Sequence, residues 1–160
     1  MSEGKAPPSI EEVSKGLNRA LSRFTDGERD LIALDPSERS LTRRLALYIE
    51  REFEGWAVDC EYNRVGIDNP KEILANAPGS VAPDADDAVT VFPDIIVHRR
   101  GPQGPNLLVV EAKKATSRVP RDFDLLKLYA YRTQLGYPYA AFVVLPAGDK
   151  SGEQPEWAYG

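Results

Sequence analysis

Apolar residues recur along this chain in two rhythms, and the change of rhythm divides it into elements. Ile10, Val13, Leu17, Leu21 and Phe24 stand three and four apart, the spacing of one helix face. Ser9 and Glu12 before them form a capping box, and Thr25-Asp26-Gly27 closes the helix. Glu28 to Leu34 predicts a second, short helix. Leu41, Leu45, Ile49 and Phe53 give a third stripe. Its start is predicted at Asp35-Pro36-Ser37-Glu38, with Asp35 as the cap and proline at the first helical position. The rhythm then shortens to two. Trp56 to Val65 sets Val58, Cys60 and Tyr62 on one strand face and Asp59, Glu61 and Asn63 on the other. Val91 to His98 and Asn106 to Lys114 are nearly continuous in Val, Ile and Leu, the composition of strands covered on both faces. Helical spacing returns at Asp122 to Leu135, with Leu125, Leu128, Tyr129 and Leu135 as the stripe and Gly136 as the stop. Ala140 to Leu145 reads as a buried strand parallel to the one before the helix, joined by a right-handed crossover. Glu156 to Tyr159 adds a short edge strand. The expected fold is α/β, a mixed sheet of four to five strands flanked by helices.

Gly-Pro-Gln-Gly, residues 101–104, separates the two most apolar strands and makes them a hairpin. A symmetric hairpin sets Arg100 opposite Pro105, Val97 opposite Leu108 and Asp94 opposite Glu111. Opposed residues share a sheet face, and Lys113, two beyond Glu111, shares it too. Two like charges directly opposed are destabilising. A shared proton or a cation between them relieves the repulsion. A hard divalent cation with oxygen ligands, such as Mg²⁺, meets that need. The lysine beside it is placed to orient a water or steady a developing negative charge.

Composition narrows the class. With 42% hydrophobic and 28% charged residues, the 160-residue chain is ordinary for one soluble domain. No apolar run approaches the roughly 20 residues of a membrane span. The first residues lack an apolar signal core, so a cytoplasmic protein is expected. One cysteine, Cys60, excludes an internal disulfide and a cysteine-built zinc site. A net charge of −5 argues against indiscriminate nucleic-acid binding. The long segment 66–88 ends in Asp84, Asp86 and Asp87. The twelfth position from Asp84 is Ile95, so it is not an EF-hand loop.

Pro93-Asp94, followed by Glu111-Ala112-Lys113 at the end of the next strand, resembles the signature of the PD-(D/E)XK nuclease superfamily, the restriction-endonuclease-like fold. PDIIVHRRG and NLLVVEAKK are similar to the catalytic hairpin of its small bacterial members, and the likeness covers roughly residues 36–146. It implies a nuclease core over 35–160 and leaves 1–34 as an N-terminal helical extension, a packing appendage or dimerisation arm. It implies Mg²⁺, with Mn²⁺ as a substitute, bound by Asp94, Glu111, the Ala112 carbonyl and an acidic residue of the first core helix. Glu38 suits that last place by angle. At 100° per residue it sits at the middle of the Leu41–Phe53 stripe, whereas Glu50 and Glu54 turn away, Glu50 roughly 18 Å further along. Glu38 also serves as a capping residue. Asp94, Glu111, Lys113 and Glu38 are then the catalytic set. Glu61 and Asn63 are expected to support them from behind. Small members of the family also show an Asp and a Lys in the next helix, here Asp124 and Lys127, whose role the sequence leaves open. DNA is the implied substrate. Lys114, Arg118 and Arg121 are the stronger phosphate-holding residues, and His98, Arg99 and Arg100, at the far end of the hairpin, the weaker. A homodimer or a partner subunit is a further expectation. The expected activity is metal-dependent cleavage of DNA phosphodiesters. The alternative is a nuclease-fold protein that binds nucleic acid or protein without cutting.

Overall fold

The computed structural model describes residues 6–60, 93–101 and 104–158. Glu61, Asn63, segment 66–88 with its acidic tip, Val91 and Tyr159 lie outside them. Helix α1 (Ile10–Gly27) is capped as its sequence requires, with Ser9 Oγ accepting from the Glu12 N–H at 3.2 Å. Helix α2 (Arg29–Ala33) follows, and helix α3 (Glu38–Glu52) comes next. The cap of α3 is Ser37, not Asp35: Ser37 Oγ accepts from the Ser40 N–H at 3.2 Å. Asp35 has φ +48°, outside the extended range of a cap residue. Its carboxylate instead takes Lys114 Nζ at 3.0 Å and Thr116 Oγ1 at 2.9 Å.

Strands β1 (Ala57–Cys60), β2 (Ile95–His98), β3 (Asn106–Lys114), β4 (Tyr139–Leu145) and β5 (Glu156–Trp157) form one sheet in that order. Helix α4 (Asp122–Leu135) joins β3 to β4, which run parallel; the other pairs are antiparallel. Gly136, with φ +73°, ends α4 in the left-handed conformation that glycine adopts without strain. The hairpin register holds over Ile95↔Val110, Ile96↔Val109 and Val97↔Leu108. It then slips by one, so His98 pairs with Asn106 and Arg99, rather than Arg100, bonds to Pro105. Leu107 is the extra residue of this bulge, and it and Leu108 both enter one core. A Cβ on Gly104 would collide with the Arg99 carbonyl, which is why the turn needs glycine there.

The sheet has an apolar layer on each face. Val13, Leu17 and Phe24 of α1 and Leu41, Leu45 and Ile49 of α3 pack with Val97, Val110 and Val143. On the other face Leu128, Ala130 and Tyr131 of α4 pack with Ile96, Val109 and Phe142. The stripe of α4 thus turns on Tyr131, fully buried, where the spacing had favoured Tyr129, which is half-buried. The stripe of α1 belongs to the same core as α3 and the sheet. Among the described residues, no helix is long and apolar enough to cross a membrane.

Candidate functional site

β3 outlasts β2. β2 begins at Ile95, opposite Val110, while β3 continues to Lys114. Pro93 and Asp94 are not strand, so beyond Val110 that edge of β3 has no strand partner among the described residues. Two carboxylates take its place. Asp94 Oδ2 accepts from the Ala112 N–H at 2.9 Å, and Glu38 Oε2 accepts from the Lys114 N–H at 3.3 Å. Buried backbone donors must be satisfied, and here the strand end itself fixes two acidic side chains. Glu38 therefore does more than start its helix, whereas Glu50 and Glu54 are exposed. A cavity of about 130 Å³ opens beside Glu38 and Asp94, lined also by Arg39, Thr42, Arg43 and Cys60.

Glu111 and Lys113 point to the α4 side of the sheet and are 0% and 8% exposed. α4 answers with Asp124, Lys127 and Tyr131, spaced three and four apart on one helix face. Lys127 Nζ lies 3.1 Å from Glu111 Oε2 and 3.3 Å from Asp124 Oδ1. Lys113 Nζ lies 2.7 Å from Asp124 Oδ2 and donates to the Pro120 carbonyl at 3.4 Å. Asp124 is the bridge that ties the two lysines together.

Burial holds the Glu111 carboxyl well above the ordinary carboxylate range. The Asp94 charge pushes it the same way, and Lys127 opposes both. Burial also raises Glu38, against the Lys114 N–H, with Asp94 adding to the rise. Burial lowers Lys127, but Glu111, Asp94 and Asp124 outweigh it and its net shift is upward. Tyr131 is raised by burial, then by Glu111 and Asp94. Four carboxylates (Glu38, Asp94, Glu111 and Asp124) face two ammonium groups (Lys113 and Lys127). When all are ionised, the cluster is short of positive charge.

Glu111 Oε1 is buried and finds no hydrogen-bond donor among the described residues. An unpaired acceptor of that kind costs stability unless something positive or protic meets it. The oxygens of Asp94 and Glu111 are donors of the kind a hard divalent cation such as Mg²⁺ takes. The arrangement is less than the full ligand set expected. Among the described residues, no group of three or more His, Cys, Asp or Glu side chains is gathered for a metal ion. Glu38 Oε2 is already engaged by the Lys114 N–H.

The expected phosphate-holding residues are largely committed elsewhere. Lys114 binds Asp35 and the Pro36 carbonyl, and Arg121 makes a two-point contact with Glu153 at 2.9 Å. Arg118 is exposed. At the far end of the hairpin, His98 Nε2 lies 2.6 Å from Asp59 Oδ2, Arg100 grips the same carboxylate, and Arg99 stacks over Trp56. Asp59 is the anchor of that group. Among the site residues, Asp124 and Lys127 came to notice only through the resemblance, and Tyr131 did not come to notice at all. Their shared helix face directly after the Glu111–Lys113 strand was the available signal.

No protein-family model matches the chain, and neither a curated protein nor a solved structure is significantly similar to it. The functional reading therefore rests on the geometry of the site.

Proposed function

We propose that this chain is a metal-dependent endonuclease of the PD-(D/E)XK kind, hydrolysing DNA phosphodiester bonds on a restriction-endonuclease-like fold. One observation carries the reading. Asp94 and Glu111 lie close enough at the end of β3 to act on one another's charge, Lys113 follows two residues on, and a buried Glu111 oxygen has no donor among the described residues. Asp94, Glu111 and the Ala112 carbonyl are the groups that would hold Mg²⁺ or Mn²⁺. When bound, such a cation acts as a Lewis acid on a phosphoryl oxygen and acidifies a water.

The chain's own residues do the rest. The Ala112 N–H fixes Asp94, and Lys127 fixes Glu111, so neither carboxylate must reorganise for substrate. Lys113 is held from behind by Asp124 and the Pro120 carbonyl. Its ammonium is placed to orient an attacking water or to donate to the phosphoryl oxygen as negative charge builds. Glu38, raised by burial, stands at the cavity edge where a carboxylate can take a proton from water.

A second reading is a nuclease-fold module that binds nucleic acid or protein without cutting. The ion pairing of Lys114 and Arg121, and the absence of a gathered metal-ligand group among the described residues, favour it. Nicking of supercoiled plasmid by purified protein in Mg²⁺ and in chelator separates the two. Cleavage that needs the metal and is lost in Asp94→Asn supports the nuclease. DNA retained without cleavage supports the module.

A further inference from the structure

Each carboxylate at the strand end has one oxygen held by a donor of the protein. Asp94 Oδ2 has the Ala112 N–H, Glu38 Oε2 has the Lys114 N–H, and Glu111 Oε2 has Lys127 Nζ. The third donor differs from the others, because it brings a full positive charge into the cluster. Lys127 is mostly buried, its side chain 13% exposed, and Asp124 holds it from the other side at 3.3 Å. Glu111 is 0% exposed, and its remaining oxygen, Oε1, has no donor among the described residues.

We propose that Lys127 is a built-in counter-ion of the Asp94–Glu111 pair: it holds Glu111 Oε2 so that only Oε1 meets an incoming divalent cation, and it limits how tightly that cation is held. Lys127 is thus a positioning residue acting through Glu111. The inference rests on the metal-site reading and deepens it. Two opposed carboxylates without a cation repel each other. The ammonium relieves this in the metal-free protein and would then repel an arriving metal through poorly screened interior. The site trades affinity for a folded, preset apo state. A loosely held cation suits a reaction in which it must share its coordination with a phosphate.

The test is Mn²⁺ binding, followed by electron paramagnetic resonance and by thermal melts, at mildly alkaline pH. Wild type is compared with Lys127→Met, Lys127→Gln and Lys127→Arg, each first checked by circular dichroism for folding. The expected results are tighter Mn²⁺ binding in Lys127→Met and Lys127→Gln, by about tenfold or more. Both should melt below wild type without metal and recover the difference when metal saturates. Lys127→Arg, keeping the charge, should stay near wild type. Wild type that binds Mn²⁺ while both neutral variants bind it equally or more weakly overturns the counter-ion role alone. Melting deficits that persist at saturating metal do the same, since they mark a merely structural lysine. If none of the four proteins binds Mn²⁺, the metal-site reading falls, and the inference with it.

Discussion

Glu111 has no exposed surface, so its charge state follows its neighbours. Its carboxyl titrates well above the ordinary 4.5, first because it is buried and then because Asp94 is close. The folded protein therefore binds that proton more tightly than the unfolded chain does. The stability so gained is complete below the unfolded value and is lost as pH rises through the folded one. Glu111→Gln keeps the shape and carries no charge to bury. Without metal it should melt above wild type on the alkaline side, and its melting temperature should vary less with pH. Melting curves of both proteins from the ordinary carboxylate range upward in pH check this. A wild type whose stability rises with pH there, with Glu111→Gln following it, would contradict the buried-carboxyl account. Lys113 is the other decisive residue at this scale. Its ammonium is buried and held by Asp124, while Lys127 holds Glu111.

At the level of elements, the site exists because two strands end at different places. β2 stops short and β3 goes on, and the uncovered N–H groups of Ala112 and Lys114 recruit Asp94 and Glu38. α3 presents Glu38 from a helix whose first turns are packed into the core. Leu17 and Phe24 of α1 share its core with Leu41 and Leu45. Leu17→Ala should therefore cost about 2–5 kcal/mol, as removal of a fully buried leucine does. Chemical denaturation measures it, and a loss under half a kcal/mol would make α1 a loose appendage. Much of this was legible in the chain. Alternating rhythms gave β3 and α4 their bounds, and the hairpin symmetry put Asp94 across from Glu111. What misled was local chemistry that tertiary contacts overrode. Asp35 looked like a helix cap until Lys114 and Thr116, some eighty residues on, claimed its carboxylate. Asp59 was one polar position among three on its strand face, since nothing nearby in sequence announces His98 and Arg100. The bulge at Leu107 is invisible within the run Leu107–Val110, where every residue is apolar and slipping by one changes no polarity. Asp124 and Lys127 look like ordinary solubilising charges on a helix until the crossover lays them over β3.

For the whole molecule, a cation held at Asp94 and Glu111 as proposed would bind the folded state and not the unfolded one. Linkage then requires stabilisation, about 2.7 kcal/mol when the metal is at a hundred times its dissociation constant. For a domain of this size that is roughly 5–10 °C in melting temperature. Melts with and without Mg²⁺ or Mn²⁺ should show such a rise, and Asp94→Asn should reduce it. No shift in wild type at saturating metal would speak against a working site. The overall charge of −5 sets a second condition. DNA association, as proposed, cannot rely on a uniformly basic surface, so binding should be weak, with a shallow salt dependence set by the few available cations. The central claim is that Asp94 and Glu111 hold a metal while Lys113 acts on the reacting phosphate. Its most direct test is the rate of supercoiled-DNA nicking in Mg²⁺ by wild type and Lys113→Ala, measured beside DNA binding of both. The account predicts cleavage by the wild type, slowed about 10²–10³-fold in Lys113→Ala with DNA and metal binding retained. Equal residual nicking in the two proteins, or none in either while both bind DNA, would contradict it.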